Sequence, residues 1–234
     1  MRKIIIGDIH GCDRELRALL EKVRPGGDDT LILLGDLFDR GPESWEVFRT
    51  VRGLAEQFGD RFFLLRGNHE DYLLQEKMSW LQQRVWKRVG KGSTESSFAS
   101  HGERMEDAAP WLKEHCKLFY RDREIQCVHA GLLVTPIEVN DARTLVHDHE
   151  ITLRNMYRER LTVVGHIALK APTYFAGDKE TTVELPYNEW QSLPDRGVIC
   201  IDTGCGKGGF LTAMILEDGR YSLVSQGVSS RDSQ

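Results

Sequence analysis

Thr30-Leu31-Ile32-Leu33-Leu34-Gly35-Asp36-Leu37-Phe38-Asp39-Arg40-Gly41 sets the architecture of this 234-residue chain. The apolar run at 30–34 has no polar alternation and reads as a strand covered on both faces. It ends at a Gly-Asp pair. Glycine lets the backbone turn sharply and leaves a carboxylate at the carboxyl end of the strand. The same arrangement occurs upstream, where the β-branched run at 3–6 leads into Gly7-Asp8-Ile9-His10-Gly11. It occurs again downstream, where a strand at 61–65 leads into Gly67-Asn68-His69-Glu70. Between the first two strands, Leu16, Leu19, Leu20 and Val23 recur at helical spacing over Asp13–Val23, and Pro25-Gly26-Gly27 stops that helix. Between the second and third, residues 43–58 offer Trp45, Val47, Phe48, Val51, Leu54 and Phe58 to one helical face. A β-α-β-α-β start of this kind predicts a parallel sheet with covering helices.

The rest of the chain changes character. Residues 69–117 read as mainly helical, interrupted at Gly90-Lys91-Gly92-Ser93-Thr94. Strands are predicted at 118–121, 124–129, 161–165, 181–185, 198–202, 210–217 and 220–225, and short successive strands point to a second, mixed or antiparallel sheet. The predicted fold class is α/β: two packed mixed sheets flanked by helices, in one domain over 1–228, with a frayed polar tail at 229–234.

Composition narrows the function. A hydrophobic content of 40% with 29% charged residues suits a globular protein with a real core. A net charge of −5 supplies no global basic field for general nucleic-acid binding. The five cysteines are odd in number and irregularly spaced, so they are read as reduced thiols of a cytoplasmic protein rather than a disulfide framework. The amino-terminal apolar run is too short for a signal peptide, and no stretch approaches a membrane span, so no membrane partner is expected.

The Gly-flanked residues carry the chemistry. Asp8, His10, Asp36 and Asn68, with His129 from His129-Ala130-Gly131 and His166 from Gly165-His166, form a candidate ligand set of carboxylate, amide oxygen and imidazole. Such ligands suit Mn²⁺, Fe²⁺ or Zn²⁺ rather than Ca²⁺ or a thiolate-bound ion. Six ligands exceed the needs of one ion. Two ions about 3.5–4 Å apart, sharing a carboxylate, fit better and suit in-line displacement at phosphorus. Asp and Asn beside glycine are also common turn residues, but four such turns in one chain outweigh that reading.

In their order, Gly-Asp-x-His-Gly, Gly-Asp-x-x-Asp-Arg-Gly, Gly-Asn-His-Glu and His-Ala-Gly resemble the motifs of the calcineurin-like metallophosphoesterases. Within them the chain is similar to the bacterial branch of the phosphoprotein phosphatases, and the likeness runs from residue 4 to about 217. The resemblance implies an αββα sandwich and two divalent ions, Mn²⁺ first, with Fe²⁺, Zn²⁺ and Ni²⁺ sharing the ligand types. Asp8 and His10 would bind the first ion. Asp36 would bridge both, and Asn68, His129 and His166 would complete the second. A metal-bridging hydroxide would attack phosphorus directly. His69 would protonate the leaving oxygen, oriented by Asp39, and Arg40 and Asn68 would hold phosphate oxygens. Arg154 best fits a second phosphate-gripping arginine, ahead of Arg143 and Arg158.

The implied activity is a phosphate monoesterase, with a serine/threonine protein phosphatase as the first reading and a phosphoprotein or small phosphorylated molecule as partner. Glu70 favours that reading, because dinucleotide hydrolases of the branch more often carry Asp there. The alternatives are a symmetrical dinucleoside tetraphosphate hydrolase and a non-catalytic metal-binding regulator. The intact His69, Asp39 and Arg40 weigh against the regulator. His101, His115, His147 and His149 are read as surface or capping residues, and His147-x-His149 as part of a solvated loop. The 90–98 stretch lacks P-loop spacing and is expected to be a flexible loop bordering the substrate groove. Trp80, Trp86 and Trp111 are expected in the core or in helix packing.

Overall fold

The computed structural model describes residues 1–149, 159–176 and 181–228. The three opening strands, β1 (Lys3–Ile6), β2 (Thr30–Leu33) and β3 (Phe62–Leu65), are parallel neighbours, with Ile4 opposite Leu31 and Ile32 opposite Phe63. Every residue of β1 and β2 is buried, as the unbroken apolar runs require. Ile4, Ile6, Leu31 and Leu33 face the helices α1 (Asp13–Val23) and α2 (Ser44–Phe58). Ile5, Ile32 and Leu34 face the other way, into a second sheet. Each such side chain contributes about 1.5–3 kcal/mol relative to exposure.

The predicted bounds of α1 are those observed, and the helix ends just before Pro25, which cannot continue it. Arg24 adopts the left-handed conformation (φ 46°) and donates its N–H to the Leu20 carbonyl. Along α2 the expected face is buried except at Trp45, which instead stacks on His101 with centroids 3.7 Å apart.

The helical middle comprises α3 (Asn68–Leu74), α4 (Trp80–Val89), α5 (Lys91–Ser100) and α6 (Ala109–His115). Here the structure corrects the expectation of a flexible loop at 90–98: only Gly90 breaks the helix, at φ 124°. Residues 91–100 are helical despite their Ser and Gly content because their polar side chains find tertiary partners. Thr94 bonds Asp39, the Ser97 hydroxyl accepts from the Trp45 N–H, and Phe98 enters the core. Trp80 is also corrected. It is 70% exposed, whereas Trp86 is buried and Trp111 packs against the core edge.

The second half supplies β4 (Cys116–Lys117), β5 (Phe119–Arg121), β6 (Ile125–Val128), β7 (Leu161–Val164), β8 (Thr173–Phe175), β9 (Thr182–Glu184), β10 (Gln191–Ser192), β11 (Val198–Cys200), β12 (Phe210–Glu217) and β13 (Arg220–Gly227). These do not all form a second sheet. The hairpin β12–β13 returns to the first sheet, where β12 lies antiparallel to β1 with Ile5 opposite Met214. Among the described residues the orders are β10-β13-β12-β1-β2-β3-β4 and β5-β6-β7-β11-β8-β9. In the second sheet β6, β7 and β11 run parallel. Its inner residues Cys127, Val163 and Ile199 meet Ile5 and Ile32 of the first sheet. Its outer residues Val128, Val164 and Val198 meet Leu145 and Val146 of α7 (Ala142–His147). The layers are therefore helix, sheet, sheet, helix. The parallel triplets β1-β2-β3 and β6-β7-β11 deliver the loops at their carboxyl ends to one place. The expected tail at 229–234 lies outside the described residues.

Candidate metal centre

Six loops converge. Asp8 and His10 follow β1, Asp36, Asp39 and Arg40 follow β2, Asn68 and His69 follow β3, His129 follows β6, His166 follows β7, and Asp202 follows β11. The turns are tight enough to force left-handed backbone on ordinary residues: φ is 50° at His10, 51° at Asp36, 69° at Asp39, 68° at Arg40 and 68° at His166. Strain of this kind persists only where surrounding structure holds it, and here it clusters at the candidate site. A Cβ at Gly67 would lie 2.2 Å from Asp36 Oδ1 and 2.4 Å from its N, so the turn after β3 closes on Asp36 only with glycine. Glu70 locks the same place. Its carboxylate accepts from the N–H groups of Asp36 at 2.7 Å, Leu37 at 2.8 Å and Gly67 at 3.0 Å. Burial, then the nearby Asp36 charge, pushes the Glu70 carboxyl up to about 7.

Around Asp36 the side chains form two groups. His10, Asp36 and His69 place ligand-type atoms within 4.8 Å of one another, and so do Asp36, His129 and His166. Asp36 Oδ2 is 3.4 Å from His10 Nε2, and Oδ1 is 3.4 Å from His129 Nε2. Asn68 Oδ1 lies 2.9 Å from His166 Nδ1 and 3.2 Å from His129 Nε2. Two ring tautomers follow from backbone carbonyls, which only accept. His10 Nδ1 donates to the Phe38 carbonyl and His129 Nδ1 to the Leu34 carbonyl, each at 2.8 Å. Their Nε2 lone pairs therefore face inward, an orientation typical of metal-ligating histidines.

Electrostatics agree with a cation site. Burial pushes His10 well below the usual histidine range, lowers His129, and takes His166 to about 2 with help from His129, so burial favours the proton-free form of each ring. Burial opposes charge on Asp36, but the surrounding imidazoles overcome it and hold the carboxyl far below its ordinary value. Asp8 is raised by burial and then by the Asp202 and Asp36 charges. Asp8 Oδ1, Asp202 Oδ2 and His166 Nε2 are buried polar atoms without hydrogen-bond partners among the described residues. The guanidinium of Arg40 sits against the His10 Nε2 lone pair at 2.5 Å, a cation standing where a metal ligand presents its electrons. Uncompensated carboxylates, inward lone pairs and orphaned buried atoms together fit divalent cations.

His69 differs from the other rings. Burial opposes its charge, but Asp36 and the hydrogen bond to Asp39 outweigh burial and raise its pKa. Its Nδ1 lies 2.5 Å from Asp39 Oδ2, and its Nε2 faces Asp36 Oδ2 at 3.9 Å.

Of the ten residues singled out from sequence, nine meet here. Asp8 stands apart from both close-packed groups; its Oδ2 accepts from the His166 N–H at 2.9 Å. Arg154, like Arg158, lies outside the described residues. Several residues were assigned no role by sequence reasoning. Asp202 is visible within Ile201-Asp202-Thr203-Gly204, an Asp just past a strand with a glycine two residues on. His147 is the last residue of α7 and His149 is exposed, as surface or capping residues are expected to be, but both have partners. His147 Nε2 is 2.8 Å from Asp71 Oδ2, and His149 stacks on His166 with centroids 4.4 Å apart. Beside them opens a cavity of about 640 Å³ lined by Asp71, Tyr72, Gln75, Arg143, His147 and His149. Ligand pockets commonly span about 300–1,000 Å³.

A family model for calcineurin-like phosphoesterases matches residues 1–201. The symmetrical bis(5'-nucleosyl)-tetraphosphatase of Proteus mirabilis (strain HI4320) is 26% identical, over 95% of this chain and 97% of that protein. The enzyme of the same name from Nitrosospira multiformis is 29% identical, over 91% of this chain and 92% of that protein. The crystal structure of a cold-active protein-tyrosine phosphatase of a psychrophilic Shewanella superposes with a TM-score of 0.64 at 16% identity, covering 97% of this chain and 80% of that one, which shows a shared fold. Among the described residues no helix is long and apolar enough to cross a membrane.

Proposed function

The chain belongs to the calcineurin-like phosphoesterases, and from that membership we propose that it hydrolyses dinucleoside polyphosphates symmetrically, cleaving a phosphoanhydride to release two nucleoside diphosphates. The observation that carries this reading is the near end-to-end match to relatives bearing that activity in their names. It reverses the order of the two enzyme readings drawn from sequence. Glu70 is a weak pointer to a protein phosphatase, because its fully buried carboxylate is occupied by backbone N–H groups. The cavity lined by His149, whose ring stacks on His166, supports a substrate larger than one phosphate, and Arg143 on its wall would meet distal phosphate oxygens.

In this proposal Asp8, His10 and Asp36 hold one divalent ion, and Asp36, Asn68, His129 and His166 hold the other. The ions, when bound, polarise the phosphoryl oxygens and lower the pKa of water at the site. Asp39 fixes His69 with its Nδ1–H donated outward, so the Nε2 proton faces the cluster and is the one available to a leaving oxygen. Arg40 presents Nη1 to the same space and grips phosphate oxygens. Arg40→Ala is expected to raise KM and lower kcat, cutting kcat/KM by about 10- to 100-fold while both ions stay bound. Steady-state kinetics with metal analysis checks this, and unchanged kinetics would remove Arg40 from the phosphate site.

A monoesterase is the second reading, and one observation favours it. Nucleotide phosphate leaves as a far weaker base than an alkoxide, so a braced proton donor such as His69 serves an ester more than an anhydride. A Mn²⁺-supplemented assay decides, comparing diadenosine tetraphosphate with a phosphoserine peptide on one preparation, with an EDTA control. EDTA-sensitive conversion of the dinucleotide to ADP alone, faster than phosphate release from the peptide, is expected. Preferential peptide turnover would replace the first reading with the second, and ATP plus AMP as products would refute symmetrical cleavage.

A further inference from the structure

The Asp39 carboxylate is fully buried, yet it receives more than the His69 ring. Its Oδ2 accepts from His69 Nδ1 at 2.5 Å and also from Trp86 Nε1 at 2.7 Å. Its Oδ1 accepts from Thr94 Oγ1 at 2.6 Å. The directions are unambiguous. An indole nitrogen only donates, and the single hydroxyl proton of Thr94 goes to Oδ1 because the same oxygen accepts the Asp39 N–H at 2.9 Å. Ser44 Oγ, 3.2 Å from Thr94 Oγ1, then donates to it.

We propose that Trp86 and Thr94, carried by α4 and α5, are positioning residues that aim the Asp39 carboxylate at His69. This rests on the reading of His69 as the proton donor. A lone carboxylate rotates about its χ2 axis at small cost, because that torsion is broad. Three donors on two oxygens remove that freedom and stabilise the buried charge, since hydrogen bonds to ionised groups are the strong ones.

The supports are themselves held in place. The Trp86 ring stacks on Tyr72 with centroids 5.8 Å apart, and the Lys91 ammonium lies 4.8 Å from the ring centroid. Tyr72 in turn meets the His69 ring edge-on at 6.1 Å. Gly90, between α4 and α5, makes the approach feasible, since a Cβ there would lie 2.3 Å from the Arg40 backbone nitrogen. The α4–α5 pair thus clamps both the side chain of Asp39 and the left-handed Asp39-Arg40 backbone.

Trp86→Phe keeps the ring and removes the N–H; Thr94→Val keeps the shape and removes the hydroxyl, and Thr94→Ser restores it. With two ions bound, each deletion is expected to lower kcat about tenfold on an alkyl phosphate and about twofold on p-nitrophenyl phosphate, with KM and metal content unchanged. Thr94→Ser should return the rate toward wild type. In a His69→Asn background Trp86→Phe should change nothing further, because residues acting as a unit are not additive. A second readout needs no substrate. The His69 Nδ1 proton, identified by its absence in His69→Asn, should give a downfield proton resonance in the Zn²⁺-loaded protein that moves upfield in Trp86→Phe.

Equal losses on both esters, an additive loss in the His69→Asn background, or an unmoved resonance would overturn the proposal. If His69→Asn alone shows no leaving-group dependence, the reading of His69 fails first and takes the positioning role with it.

Discussion

Asp36→Asn is expected to reduce turnover by about a thousandfold or more and to leave the protein unable to hold two ions. The substitution is nearly isosteric, so its effect is electrostatic. Asp36 is the only residue common to both ligand groups found among the described residues, with Oδ2 toward His10 and Oδ1 toward His129. An amide offers one oxygen and no charge, so one side of the shared position would face an NH₂ group. The imidazoles around it carry no negative charge, whether protonated or neutral, and supply no compensating anion. Losing about 4 kcal/mol of transition-state stabilisation corresponds to the thousandfold effect. The Asp36 N–H bond to Glu70 is a backbone contact and survives, so the fold should survive with it. Metal stoichiometry by elemental analysis, alongside kcat and circular dichroism, checks the claim. A variant that keeps two ions and most of its rate would show that Asp36 does not bridge.

What could be read from sequence had local causes. The helix Asp13–Val23 was legible to the residue because its apolar spacing and acidic first turn lie within the segment itself. The turns bearing Asp8, Asp36 and Asn68 were legible because strand, glycine and candidate ligand lie close together in the chain. What escaped reading depends on distant partners. The helix at 91–100 is stabilised through Thr94, whose partner Asp39 is 55 residues away. Propensity alone makes its Ser-rich sequence a loop. The return of β12 to β1 pairs Lys3 with Leu216, and no periodicity encodes which strand a hairpin joins. Trp86 reads as an ordinary core aromatic because its apolar ring is packed as one. Only the placement of its N–H against Asp39 distinguishes it. Glu70 had invited a substrate argument, whereas its three backbone donors make it a brace for the turn that presents Asp36.

His69→Asn is the second large effect, and its pattern across substrates carries more than its size. Asparagine can still reach Asp39 with its amide, but it has no acidic proton to place where Nε2 stands. General acid catalysis is worth about 10²–10⁴-fold, so an alkyl phosphate should lose a factor in that range. The p-nitrophenolate ion leaves without protonation and should lose little. Dinucleotide cleavage should fall between them, near the lower end, because the departing nucleotide is weakly basic. A competing role must be separated from this one. His69 also falls within ligand distance of His10 and Asp36, and a carboxylate bonded to the far nitrogen of an imidazole is a common second partner of metal-bound histidines. Were His69 a ligand, His69→Asn would lower metal affinity and slow all three substrates alike. As a proton donor it would leave metal content intact and spread the rates by leaving-group basicity. The raised pKa of His69, against the lowered values of His10, His129 and His166, is the structural reason to expect the spread, since a ring that keeps its proton competes less well for a metal and has a proton to donate.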